Sequence, residues 1–174
     1  MNNNKKEKMK KIILFLILSI SNTMFSQNIF DKYEEKSDVS AVIVSQKMFE
    51  MFSNIDATDK EAKDFMQIAK KLTSLKMFST ENNKVASQMK ADVITYKNNA
   101  GLEELIRVKD SSSLSKFYIK PGQNSKTVSE LLIYIDKNTE KNTIILLLKG
   151  EINLDDLGKL ASKLNLPKEV SEIK

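Results

Sequence analysis

The sequence predicts an α+β fold, with a mostly antiparallel sheet that ends in a C-terminal four-strand meander and helices packed mainly on one face. Three observations predict it. Four runs rich in β-branched and apolar residues follow one another in the second half of the chain, separated only by short polar turns, the mark of successive antiparallel strands. Before them, apolar residues recur at helical spacing in separate stretches. Gly and Pro number only four and two in 174 residues, so no flexible or polyproline linker divides the chain, and one domain is expected.

Taken in order, Ile29 to Lys36 (IFDKYEEK) reads as a short helix or turn. VSAVIVS, Val39 to Ser45, is β-branched and forms the first strand. It runs into QKMFEMF, where Met48, Phe49, Met51 and Phe52 recur at helical spacing. That stripe reads as core rather than as an adaptable Met-rich groove. Thr58 and Glu61 have the spacing of a capping box, opening a helix with Ala62, Phe65, Ile68, Ala69 and Leu72 on one face. A short strand, Leu75 to Ser79, follows. The next helix places Val85, Met89, Val93 and Tyr96 one or two turns apart and stops at Gly101, which is free to take a positive φ.

LIRVKD, SKFYIK, VSELLIYID and NTIILLLKGEI make the meander, joined by SSSL, PGQNSK and KNTEK. LLIYI and TIILLL are apolar on both alternating faces, as central strands are when covered on both sides, by the chain itself or by a partner. The earlier pair is half polar, with Arg107, Lys109, Lys116, Tyr118 and Lys120 at exposed positions. LDDLGKLASKL closes the domain as an amphipathic helix striped by Leu154, Leu157, Leu160, Ala161 and Leu164, and Pro167 marks its stop.

The N-terminus reads as a targeting segment. Five lysines in residues 5–11 precede IILFLILSI, Ile12 to Ile20, and then the polar SNTMFSQ. Nine residues are too few for a hydrocarbon core that needs about 20, and the flanks are those of a secretory signal peptide. The expected organisation is a signal peptide over 1–26, a single domain over 27–166 and a frayed tail over 167–174. Met24, at the minus-three position of a cut after Ser26, is larger than the usual residue there. The chain contains no Cys, so no lipid-modified Cys follows the leader, and a periplasmic or secreted product with no membrane span after cleavage is expected.

The net charge of +5 belongs mostly to that leader. Without the five Lys and one Glu of residues 1–26 the chain has 23 basic against 22 acidic residues, a net of +1. The sequence pI of 9.2 is therefore no argument for nucleic acid, which needs a basic face on the folded domain.

With neither His nor Cys, the Ser-His-Asp triad, the thiol nucleophile, the imidazole base and the His/Cys zinc site all fall away. Carboxylates, Lys, Tyr and hydroxyls remain. Ser-x-x-Lys occurs at Ser87/Lys90, Ser113/Lys116 and Ser171/Lys174, without the companion motifs that make it a catalytic pair. Asp136, Asn138 and Glu140 begin like a calcium loop, but Lys141 and Leu147 stand where that loop needs Gly and a bidentate Glu. No catalytic, cofactor-binding or metal-ligating residue is assigned, and no cofactor is expected. Lys116, Lys120 and Lys126, around the PGQNS turn, form a weak candidate patch for an anionic glycan or headgroup.

The stretch GEINLDDLGKL clusters Glu151, Asp155 and Asp156 directly after an apolar strand. Asn153 is a preferred N-cap type, and Asp155 and Asp156 fall where a helix macrodipole favours negative charge. A capped helix start explains the acids; a carboxylate pair, Glu151 with Asp155 or Asp156, is the enzyme alternative.

FDKY, VSAVIVSQKMFEMF, LEELIRVKD, VSELLIYID and IILLLKGEINLDDLGKLASKL together make the chain, over about residues 30 to 165, resemble an uncharacterised family of exported proteins from Bacteroidota, domain of unknown function 4252. The resemblance implies an envelope location in Gram-negative bacteria and no established activity. It also implies a link to envelope stress signalling, through neighbouring genes for extracytoplasmic-function sigma factors and their anti-sigma partners. It supplies no functional residues. The expected function is a non-catalytic binding or interaction module for an envelope protein or component. The alternatives are the carboxylate-dependent hydrolase and a structural homo-oligomer that uses an apolar sheet face.

Overall fold

A computed structural model describes residues 28–53, 59–137 and 142–156. Residues 1–26, expected to be a signal peptide, Thr58, the segment between Lys137 and Asn142, Leu157 with the rest of the expected closing helix, and the expected tail from Pro167 lie outside the described residues.

A 3-10 turn over Asp31–Tyr33 leads into β1 (Ser40–Ser45), α1 (Gln46–Ser53), α2 (Lys60–Ala69), β2 (Leu72–Thr80) and α3 (Asn83–Ala100). The meander follows as β3 (Glu103–Lys109), β4 (Ser113–Pro121), β5 (Thr127–Lys137) and β6 (Asn142–Asn153), with a 3-10 turn at Leu154–Asp156. All six strands form one sheet in the order β1-β2-β6-β5-β4-β3, and every pairing is antiparallel. The last strand thus lies between β5 and β2, with β1 and β3 at the two edges.

The expected central strands are central. Leu131 to Ile135 on β5 and Ile145 to Leu148 on β6 are each at most 2% exposed within the single chain. Because side chains alternate across a sheet, these doubly apolar strands need cover on both faces, and the helices divide accordingly. Phe49 of α1 and Ile68 and Ala69 of α2 pack with Leu131, Ile133, Leu146 and Leu148. Phe30, Tyr33 and the α3 residues Val85, Met89 and Val93 pack with Phe78, Leu132, Tyr134, Ile145 and Leu147. Two of the three described helices thus pack on one face, as expected, and α3 covers the other, giving three layers. Each fully buried Leu, Ile or Phe contributes about 1.5–3 kcal/mol by leaving water.

Local details refine the element boundaries. The N-cap of α2 is Asp59, whose Oδ1 accepts from the Ala62 N–H at 2.7 Å, rather than Thr58. That helix ends at Lys70, so Leu72 opens β2 instead of extending the helical face, and a register shift between Leu72 and Ser74 brings Leu72 and Leu75 into the same core. Asn82 caps α3 by accepting from Lys84 and Val85 N–H, and Gly101 ends it at φ 66°. Tyr118, expected exposed, is 4% exposed, because it faces the α3 side of the sheet beside Leu132 and Tyr134. Gly150 takes φ +140°, and a Cβ there would lie 2.3 Å from the Lys71 carbonyl oxygen, so only glycine lets β6 approach the start of β2 this closely.

Candidate functional site

The three acids singled out in the sequence do not converge on a site. Glu151 is exposed at the end of β6, with one carboxylate oxygen 3.3 Å from Lys71 Nζ. Asp155 and Asp156 lie on the final 3-10 turn, where Asn153 Oδ1 accepts from the Asp155 N–H at 3.0 Å. Asn153 therefore makes a capping hydrogen bond of the expected kind, while the helix it was expected to open lies outside the described residues. Among the described residues no group of three or more potential metal ligands comes together.

The three lysines are also spread out. Lys116 is half-buried in β4 opposite Arg107, Lys120 is exposed near the end of the same strand, and Lys126 sits in the β4–β5 turn. Two of the Ser-x-x-Lys serines make local bonds, and Ser171 lies outside the described residues. Ser87 Oγ donates to the Asn83 carbonyl at 2.9 Å within α3, and Ser113 Oγ donates to Asp110 Oδ2 at 3.0 Å. The Ser112 side-chain and backbone donors, followed by those of Ser113, hold the Asp110 carboxyl down at about 2, so it stays ionised and closes the β3–β4 turn.

Sequence reasoning missed a buried carboxylate. Glu130 lies on β5 directly before LLIYI and is 7% exposed, facing α3. The Tyr96 hydroxyl donates to its Oε1, Lys149 Nζ stands 3.7 Å from its Oε2, and the same ammonium lies 5.6 Å from the Tyr96 ring centroid. Burial, then the hydrogen bond to Glu130, pushes the Tyr96 phenol up, so it acts as a donor and not as a base. Tyr33 repeats the pattern one turn earlier on α3, donating to Asp92, whose Oδ2 also lies 2.6 Å from Lys32 Nζ. The two tyrosine–carboxylate–lysine trios fasten α3 to the sheet and to the N-terminal turn. A polar cleft of about 340 Å³ opens beside the first of them, lined by Asn28, Tyr96, Lys120, Glu130 and Lys149. With one carboxylate oxygen hydrogen-bonded to Tyr96, the other facing the Lys149 ammonium, and the phenol held protonated, this cleft has the arrangement of a structural joint rather than of an acid–base pair. The signal that could have found it is one acid interrupting a doubly apolar strand.

The surface feature that stands apart is the β1 edge. Among the described residues no strand lies on the outer side of β1. Its sequence, SAVIVS, has no charge and no Pro, and its six pairs with β2 run without a register shift. Val42 and Ile43 are both 43% exposed. The helix that follows continues the exposure. Met48, Met51 and Phe52 are 44%, 60% and 41% exposed, and only Phe49 of that stripe is buried. The KMFEMF stripe is therefore not core, since α1 turns one residue into the sheet and leaves three apolar side chains facing water.

Among the described residues no helix is long and apolar enough to cross a membrane. The sequence matches the family described as Domain of unknown function (DUF4252) over residues 33–160, well over half of the chain, and the protein belongs to that family. No curated protein and no solved structure matches it.

Proposed function

We propose that this member of the DUF4252 family is a non-catalytic binding module of the bacterial envelope, exported by the leader in residues 1–26, and that it binds through the β1–α1 edge. The observation that carries this reading is an uncharged, unbulged edge strand running directly into a helix with Met48, Met51 and Phe52 exposed. An open strand edge presents unpaired N–H and C=O groups, and an extended segment of a partner adds to it by main-chain hydrogen bonds. Val42 and Ile43, one on each face, would give such a strand apolar contacts on both sides. The family likeness is what supports a link to envelope stress signalling.

The hydrolase alternative has less behind it, because Glu151 is engaged by Lys71 and Asp155 is exposed in a turn. The homo-oligomer through an apolar sheet face loses its surface, since LLIYI and TIILLL are covered within their own chain. The test is affinity capture from native envelope with the wild type, Ile43→Lys and Leu105→Lys as baits. A component kept by Leu105→Lys and lost by Ile43→Lys is the expected result; one held equally by all three places binding elsewhere. Intact-mass measurement of the protein recovered from the periplasm should give a chain beginning at Gln27, and a mass that retains residues 1–26 would refute the cleaved leader.

A further inference from the structure

We infer that the occupant of the β1 edge is β1 of a second copy of this chain, paired antiparallel across a two-fold axis perpendicular to the sheet. The inference rests on the binding reading above and names its partner.

Every residue of SAVIVS is small or β-branched and uncharged, with Ser at each end and Ala, Val or Ile between. Antiparallel self-pairing therefore sets small and β-branched side chains opposite one another, with no like charges opposed. The flanks fit as well. Asp38 lies before the strand and Lys47 after it, so antiparallel pairing brings the acidic end of one copy beside the basic end of the other. Parallel pairing would put like ends together.

The symmetry also decides where assembly stops. A two-fold axis perpendicular to the sheet sets same-face residues opposite each other, Val42 on Val42 of the second copy or Ile43 on Ile43. It carries Met48, Met51 and Phe52 of both copies to one side of the joined sheet. Both β1 edges are consumed, and the two edges that remain are both β3. That strand carries Glu103, Glu104, Arg107 and Lys109 and has a register shift between Glu104 and Ile106, charges and irregularity of the kind that block strand addition. An isologous contact of this kind closes at two copies, whereas a β1-to-β3 contact would propagate.

The chain contains no Cys, so Val42→Cys and Ile43→Cys each carry a lone thiol. In the full chain as the cell processes it, light scattering at micromolar concentration should give twice the monomer mass. Mild oxidation should cross-link at least one of the two cysteine variants into a covalent dimer, and Leu105→Cys on the opposite edge should stay monomeric on a denaturing gel. Val42→Lys with Ile43→Lys should halve the mass. A monomer at every concentration, or a Leu105→Cys variant that cross-links as readily, overturns the second copy as occupant. If the mass is that of a monomer and Ile43→Lys still loses an envelope component, the edge is a binding site for another protein. If Ile43→Lys changes neither mass nor capture, the edge reading itself fails.

Discussion

β3 carries four charged side chains in seven residues, its pairing slips once against β4, and an Arg107–Glu104 ion pair of 2.7 Å lies along it. β1, at the other end of the same sheet, carries no charge in six residues and pairs with β2 without a slip. Both strands present an outer row of backbone groups, so the hydrogen-bonding opportunity is the same. What differs is the cost of using it. Adding a strand to β3 would desolvate charged side chains and require a matching irregularity, while adding one to β1 would bury side chains that water already disfavours. The two edges differ in side chains and register, not in the backbone groups they present.

The largest way to separate the two edges is Gly150→Ala. A Cβ at φ +140° would press on the Lys71 carbonyl where β6 meets the start of β2, and strain of this kind costs about 3 kcal/mol. Because β1 is attached to the sheet only through β2, amide hydrogen exchange should show β1 and β2 losing protection before β3 and β4. Loss of protection in all strands together would mean the edges belong to one cooperative unit.

Tyr96→Phe should act on both edges alike. It leaves the buried Glu130 without its phenol donor, at a cost of about 1–3 kcal/mol in urea unfolding, and should not change the mass in solution. A change in mass would place the α3 joint in the assembly. Asn153→Ala removes the hydrogen bond to the Asp155 N–H and should cost about 1 kcal/mol, as lost caps do. If it cost nothing, the turn after β6 would be held by other groups. Glu103→Thr, Glu104→Thr, Arg107→Val and Lys109→Val together, all at exposed positions, should barely move the melting temperature, yet they give β3 the uncharged character of β1. Light scattering should then show association beyond a dimer, and an unchanged mass would mean that the register shift alone protects that edge.

Much of this fold could be read from residue order, because the signals are local. Gly101 stops a helix for a reason internal to its own turn, and a strand apolar on both faces, such as LLIYI, must be covered on both. The expectations that failed depended on what lies across space. Periodicity in KMFEMF marks a face that favours cover, but it cannot say whether the cover comes from the same chain. Tyr118 was placed outside because its neighbours Lys116 and Lys120 are polar, whereas α3 overlies that part of the sheet. The insertion of β6 between β2 and β5 leaves no trace in the sequence, since main-chain ladders form alike for any side chain. Glu130 was passed over because its partners Tyr96 and Lys149 come from distant segments.

The position of β6 also sets an order of events. A chain made from its N-terminus forms β1 and β2 as one piece and β3, β4 and β5 as another, and neither can join until residues 142–153 arrive. Until then β2 and β5 each lack a neighbour, and the apolar faces meant for the interior stay wet. Pairings this far apart in sequence form slowly, because loop closure must precede the contacts that reward it. The unfinished halves are therefore the species most exposed to aggregation, and a chain cut short before Asn142 would have no domain to fold.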